Sequence, residues 1–384
     1  MSSLVAPPSR SRLDVGKDFV RGQAGFLVAA LTLLFLMPAM LSEFRLDLLA
    51  KFVCFAIIAI GVDIAWGYGG MLVLGQGVFF GLGGYAMAMH LKLVDAHAQH
   101  IDVPDFMSWS GVEQLPAVWK PFEHGWFAVG ATVLLPMLVA FLLGSLVFRR
   151  RVRGAYFAIL TQALAAAFVI LLVGQQGLTG GTNGLTNITS VNFLGLIDLS
   201  SEHATAELYT LAVLCLGVTY LIARQLIGSR YGRLLIAVRD QEDRVRFLGY
   251  NPATVKTVAF TFSAGAAGLA GALFVPIVGI ISPAMLGVVP SIEMVIWVAL
   301  GGRATLVGAV AGALIVNYAK SSLSEQFPAF WTYFQGLLFI LVIAFIPAGV
   351  AGGLRNFRKR MRDASQEKRA RASAAAGYGE TRFE

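Results

Sequence analysis

The amino-acid sequence predicts an all-α polytopic membrane protein of about ten transmembrane helices, within a range of eight to ten. Three observations lead there. Of 384 residues, 57% are hydrophobic and only 14% charged, against about 25% charged in soluble domains. Apolar runs of about 20 residues, the length a membrane helix needs, recur along almost the whole chain, which has a mean hydropathy of +0.71. The 30 basic residues gather in the segments that alternate spans place on one side.

Residues 1–22 are polar and basic, and read as a cytoplasmic tail. No small-residue cleavage site follows the first apolar run, which reads as a retained anchor rather than a signal peptide. The transmembrane domain is expected over 23–354, with spans at 23–41, 47–66, 70–91, 125–148, 154–174, 206–227, 255–281, 288–302, 304–320 and 331–350. The two short runs around Gly301-Gly302-Arg303 are either two full spans or one broken hairpin. Loop 92–124 carries five acids, Trp109, Trp119 and three prolines, which suggests an ordered cap on the outer face. Residues 355–384 form a basic tail.

Charge tests this topology independently. With both termini inside, 25 of the 30 basic residues fall on inner segments, including Arg149, Arg150, Arg151 and Arg153 and the seven from Arg224 to Lys256. Only Arg45, Lys51, Lys92, Lys120 and Lys320 fall outside, the bias of the positive-inside rule. The formal charge of +8 is therefore topological. Nucleic-acid binding would need a recognised motif or a basic surface interleaved with aromatics, and neither is present.

No catalytic residues, metal site or cofactor emerge from the motifs. The Gly16-Lys17 pair lacks the glycine and hydroxyl that complete a P-loop. Cys54 and Cys215 lie in separate apolar runs and suggest neither a disulfide nor a metal site. His97, His100, Asp102 and Asp105 are best read as solvated loop residues. At membrane depth the expected acids are Asp63 and Glu293, each costly there and so facing protein or water. Asp63, one turn before a glycine cluster, reads as a structural hydrogen-bonding group or a proton or solute site. Glu293 carries the same two readings.

Gly75 to Tyr85 is the densest glycine stretch, and Gln76 brings an amide into it. Gly77/Gly81 and Gly308/Gly312 have the spacing that lets membrane helices approach closely. Gln76 serves either packing or solute, since transporters place substrate beside interrupted helices. Thr179-Gly180-Gly181-Thr182-Asn183-Gly184-Leu185 is either an outer turn or irregular backbone beside a cavity.

The inner segment 228–252 predicts a short amphipathic helix. Leu234, Val238, Gln241, Val245 and Leu248 fall at helical spacing, and Arg239/Asp243, Asp240/Arg244 and Glu242/Arg246 are opposite charges four apart. Gly249 can stop the helix, and Asn251-Pro252 can start the next. The apolar stripe needs a partner, either the lipid bilayer surface or a groove on another protein.

Four segments together resemble the branched-chain amino-acid-type permeases of ABC importers: Gly67-Tyr68-Gly69-Gly70-Met71-Leu72-Val73-Leu74-Gly75-Gln76-Gly77; Arg153-Gly154-Ala155-Tyr156-Phe157-Ala158-Ile159 with the Thr-Gly-Gly-Thr-Asn-Gly-Leu run; Gly232-Arg233 through Val238-Arg239-Asp240-Gln241-Glu242-Asp243-Arg244 to Gly249-Tyr250-Asn251; and Leu300-Gly301-Gly302-Arg303-Ala304-Thr305-Leu306-Val307-Gly308. They span residues 60–350. Within the family, Leu115-Pro116-Ala117-Val118-Trp119-Lys120-Pro121-Phe122, Ser291 to Trp297 and Asn317-Tyr318-Ala319-Lys320 resemble the urea-import branch. Gln76 stands where many members have His, which changes the donor pattern expected there.

The resemblance implies an ABC importer permease fold in the bacterial inner membrane. It also implies a heteromeric complex with a second homologous permease, two cytoplasmic ATPase subunits and a periplasmic solute-binding protein. Residues 228–252 become the coupling loop, with Leu234, Val238, Arg239, Asp240, Glu242, Val245, Leu248 and Gly249 at the ATPase contact. A neutral solute, urea first, suits the few charges at membrane depth, with Gln76, Thr161, Gln162, Asn183, Glu293 and Asn317 as path candidates. A branched-chain amino acid or short amide is the alternative. A proton-coupled transporter using Asp63 and Glu293, or a passive channel, is the reading from a different class.

Overall fold

In a computed structural model, the described residues are 32–326, except 153, 189–196, 198, 200 and 202, together with 333, 336 and 337. Among them the fold is helical, with one isolated antiparallel bridge between Leu185 and Ile281. Nine helices organise it: α1 Glu43–Val62, prolonged by a π-helical turn Asp63–Tyr68; α2 Gln76–Ala98; α3 Gly125–Arg149; α4 Ala155–Gly174; α5 Ala204–Gly228; α6 Arg230–Phe247; α7 Pro252–Val278; α8 Val288–Gly301; and α9 Leu306–Gln326. Seven of the described helices are long and apolar enough to cross a membrane. The expected span at 331–350 and both tails lie outside the described residues. So does most of 23–41, of which a π turn Thr32–Leu36 and a short helix Met37–Met40 are seen.

Helix α7 is the hub, packed against α1, α2 and α3. Its glycines make that possible. A Cβ on Gly271 would overlap the Phe80 carbonyl of α2, and one on Gly268 would overlap the Thr132 carbonyl of α3. Without a hydrophobic drive between helices in lipid, such backbone approach is what holds them together. The most apolar stretches of α1, α2 and α7 are 78%, 89% and 78% buried within the chain, against 33% and 28% for α3 and α4. The first three are thus the interior, and the others face outward. On α3 the outward side is a ridge of Leu134, Leu138, Leu142 and Leu146, all exposed, at the four-residue spacing of one helix face.

Two of the expected spans are corrected by interruptions. The run expected at 70–91 begins as helix only at Gln76, because 69–75 is non-helical. The run expected at 255–281 ends at Val278, where Gly279 turns left-handed (φ 75°). Both non-helical segments are apolar, so hydropathy alone cannot separate them from helix. Segment 69–75 is largely buried, which is what membrane depth requires of irregular backbone. The expectation at 288–320 resolves into a half-span and a full one. The 14 residues of α8 reach about 21 Å, short of the ~30 Å hydrocarbon layer, whereas α9 has 21 residues. Gly308 and Gly312 of α9 pack on the Gly301 and Trp297 backbone of α8, the expected use of that pair.

Residues 92–124, the first seven of which continue α2, are held in place by side-chain bonds. The Lys92 ammonium bonds Asp105 (3.1 Å) and the Asn187 carbonyl (3.2 Å). His90 Nδ1 lies 2.7 Å from the Phe122 carbonyl, and the Trp119 indole donates to the Leu178 carbonyl. Asp105, drawn above in a cluster with His97, His100 and Asp102, is thereby committed to Lys92.

Candidate functional site

The first part of the site is a junction inside the membrane. Gln76 opens α2, and its Nε2 donates to the Ser263 carbonyl (2.9 Å) and hydroxyl (3.1 Å). Ser263 is the twelfth of 27 residues in α7, so α2 starts near mid-depth. Beside it, the Leu74 amide donates to Thr161 Oγ1 (3.1 Å), which itself donates to the Ala158 carbonyl. The Gly77 amide donates to Ser291 Oγ (3.0 Å), which donates in turn to the Gly287 carbonyl. Two helix starts, α2 and α8, therefore meet through Ser291.

Glycine allows the approach. A Cβ on Gly75 would overlap the Thr161 carbonyl, and one on Gly77 would lie 2.5 Å from the Leu286 carbonyl. Of the expected path residues, Gln76 and Thr161 are thus clamps between elements far apart in sequence. Gln76 keeps a buried Oε1 without a hydrogen-bond partner among the described residues. Gln162 is half-buried on α4, and Asn183 is exposed on the 181–184 turn, so neither converges on this junction. Ser263 and Ser291, both fully buried, were not expected there. Only their being small and polar within apolar runs marks them in the sequence.

The second part is an inner joint where α1, the α8–α9 turn and α6 meet. Arg239 Nη1 donates to the Gly67 carbonyl (2.7 Å), and its Nε donates to Asp240 (2.8 Å). Its stem covers Gly70, whose φ of +70° and lack of side chain leave that room. From α1, the Asp63 carboxylate accepts the Ala304 amide (2.7 Å). That bond holds Ala304 at φ 56°, a left-handed conformation costly for an L-residue. The Arg303 guanidinium lies 4.1 Å from the Trp66 ring centroid, a cation–π distance. Burial, and then nearby Arg239, pull the Arg303 pKa down, while Asp63 raises it. Asp63 thus makes one structural bond, while its other oxygen is buried without a partner among the described residues.

Helix α6 is capped by Ser229, whose hydroxyl accepts the Tyr231 and Gly232 amides. It breaks at Gln241, where φ −149° and ψ 72° are not helical. The expected continuous stripe is corrected by that break. Val238 and Val245 are buried by the chain itself and Leu234 is half-buried, while Leu248 is 75% and Phe247 93% exposed. The same break redirects the charges. Arg239 turns to Asp240 and Gly67, whereas Glu242 keeps Arg246 (3.2 Å) and also takes Lys256 (2.6 Å). Gly249 (φ 88°) follows the helix end and Asn251 caps α7, as read from the sequence. A cavity of about 490 Å³ lies between α6 and Gly69, Gly70 and Lys256.

The third part is in the outer half. Glu293 of α8 pairs with Lys320 of α9 (2.7 and 2.9 Å), and the Asn317 amide donates to the Ala313 carbonyl. Both line a cavity of about 330 Å³ with Lys51 and Phe55 of α1. These two path candidates are brought together. Lys51 and Lys320, assigned above to outer segments, lie instead within α1 and α9.

Comparison with known proteins gives the family. Residues 44–345 match the family described as "Branched-chain amino acid transport system / permease component". The chain is similar to the high-affinity branched-chain amino acid transport system permease protein LivM of Escherichia coli (strain K12), 28% identical over 85% of this chain and 74% of LivM. It is also similar to the permease protein LivH of Salmonella typhimurium, 24% identical over 78% of this chain and 91% of LivH. The autoinducer 2 import system permease protein LsrC of Salmonella paratyphi B is 29% identical over 56% of this chain and 61% of LsrC. No solved structure matches the chain.

Proposed function

The chain belongs to the branched-chain amino acid transport system permease component family, and from that premise we propose that it forms, with a second homologous permease, the path of an ATP-driven importer for urea. It is a multi-pass protein of the inner membrane and a transport subunit rather than an enzyme. ATP hydrolysis belongs to two cytoplasmic ATPases, and solute arrives from a periplasmic binding protein. About ten spans with both termini on the ATPase side complete the arrangement.

One observation supports a neutral solute. The mid-depth junction is built from uncharged donors and acceptors, Gln76, Thr161, Ser263 and Ser291. Glu293 is paired with Lys320, and Asp63 accepts the Ala304 amide on one carboxyl oxygen. A flat amide such as urea needs hydrogen-bonding partners and no counter-charge. A second reading, a branched-chain amino acid, is favoured by the names of the LivM and LivH relatives.

Coupling follows from the inner joint. ATPase closure would press on the exposed Phe247–Leu248 end of α6. Through Arg239 and the Gly67 carbonyl, that push reaches segment 69–75 and the start of α2. ATP-dependent uptake by the reconstituted complex, offered labelled urea and leucine in competition, tests the proposal. Accumulation of urea in preference to leucine is expected. Accumulation under a proton gradient without ATP would overturn the ATP-driven reading, and preference for leucine would replace urea by the second reading.

A further inference from the structure

Helix α9 carries polar residues along one face of its C-terminal half. Asn317, Lys320, Ser321 and Ser324 stand at i, i+3, i+4 and i+7, which places them on one side of a helix. Ile315, on the opposite side, is exposed. The facing wall has the same spacing on α1, where Leu48, Lys51, Phe52 and Phe55 line the same cavity. Lys51 is the ninth residue of α1, and Lys320 lies six before the end of α9. At 1.5 Å per residue Lys51 lies about 12 Å from the start of α1.

A polar helix face is costly against lipid, so such faces turn to protein or to water. Among the described residues the protein does not close over it. A space of about 330 Å³ remains between α1, α8 and α9. The aromatic side of that space is fixed, since Phe55 stacks on Trp297 (4.9 Å) and Phe274 (5.8 Å), and Lys51 sits over Phe274. The opposite side offers acceptors from Glu293 and donors from Lys51 and Asn317.

We infer that this cavity is the water-filled outer half of the solute path. Its α1/α8/α9 wall recognises a small solute bearing a carbonyl or carboxylate oxygen at one end and N–H donors at the other. Lys51 meets the oxygen, Glu293 meets the N–H groups, and Phe52 and Phe55 cover the flat or apolar side. The inference rests on the permease reading and deepens it by naming the surface that solute touches. Urea and a zwitterionic amino acid share this chemistry.

Thiol accessibility in the assembled complex, in proteoliposomes with the outer face exposed, tests it. Ser321→Cys and Ser324→Cys are labelled with a membrane-impermeant thiol reagent. Ile315→Cys reports the opposite face, and the wild type, with Cys54 buried and Cys215 half-buried, reports background. Labelling of both serine positions at least about tenfold faster than Ile315→Cys is expected, because thiolate attack requires water access, with slowing by the transported solute. No labelling above background in any nucleotide state, in a complex that still takes up solute, would overturn this path and leave the permease function standing. Labelling unaffected by solute would likewise remove the recognition role.

Glu293→Gln separates the two solutes. It is expected to raise KM about tenfold or more for leucine, which loses an ion pair, and only a few-fold for urea, which keeps a neutral acceptor. An unchanged KM for whichever solute is carried would overturn the role of Glu293.

Discussion

At the inner joint Arg239 and Asp63 direct their charge onto backbone atoms, the Gly67 carbonyl and the Ala304 amide. In the outer cavity Glu293 and Lys320 direct theirs onto each other and leave open space beside them. Each region holds an acid, Asp63 or Glu293, on an apolar helix, where a charge is expensive. Their use differs. A charge bonded to backbone fixes the path of the chain, so that α1, α6 and the α8–α9 turn move together. A charge paired with a flexible side chain beside a cavity can exchange partners, and that suits a surface over which solute passes.

The largest effect is expected where the joint has no room. A side chain at Gly67 would overlap the Asp63 carboxylate and lie 2.5 Å from the Ala304 amide. Gly67→Val should therefore abolish monodisperse protein on size-exclusion chromatography. Ser321→Ala, beside the open cavity, should purify as the wild type. Equal behaviour of the two would erase the contrast between a packed joint and an open wall.

Arg239→Ala should come next. A hydrogen bond to a charged group contributes about 1.5–3 kcal/mol, which corresponds to roughly 10–100-fold in uptake per ATP hydrolysed. Assembly and ATP hydrolysis by the partner subunits should persist, since the lost contact is internal to this chain. Arg239→Lys retains charge without the fork that reaches both Gly67 and Asp240, and should recover only part of the uptake. Normal coupling in Arg239→Ala would show that the joint transmits nothing through this residue.

A smaller, local contrast lies within α6. Leu248→Asp should release the ATPases on co-purification while thermal stability is kept, because Leu248 is exposed. Val245→Asp should lower the thermal stability of the isolated chain, because Val245 is buried and an unpaired buried charge is destabilising. Unchanged co-purification of Leu248→Asp would remove this end of α6 from the docking surface.

These contrasts also mark what the sequence reveals. The spans are legible because apolar runs of membrane length carry their own signal, as at 125–148 and 206–227. The joint is legible in outline, since Asp63 stands one turn before Gly67-Tyr68-Gly69-Gly70 and the basic loop follows the positive-inside pattern. Segment 69–75 is hidden because Met71-Leu72-Val73-Leu74 is as apolar as the helices around it. Nothing near Gln76 in the sequence shows that Ser263, 187 residues away, takes its amide. Val245 and Leu248 share a face by periodicity, yet Val245 is buried and Leu248, one residue past the end of α6, is exposed. The α9 face is the instructive miss. Asn317, Lys320, Ser321 and Ser324 have helical spacing in plain view, but Lys320 at the end of an apolar run reads as the edge of the membrane.

The smallest expected effect is the one that decides between strut and wall in the outer cavity. The Glu293 and Lys320 side chains are 15% and 37% exposed, and a partly solvated pair contributes about 0–1 kcal/mol. Lys320→Met, Glu293→Gln and the double variant form a cycle that isolates the pair term. Thermal unfolding in nanodiscs should give a coupling of at most about 1 kcal/mol, while uptake falls several-fold in each single variant. A coupling of about 3–5 kcal/mol would be that of a buried pair broken on one side. The pair would then be a strut like Arg239 at the inner joint. The outer cavity would be a rigid gap rather than a surface able to trade Lys320 for solute.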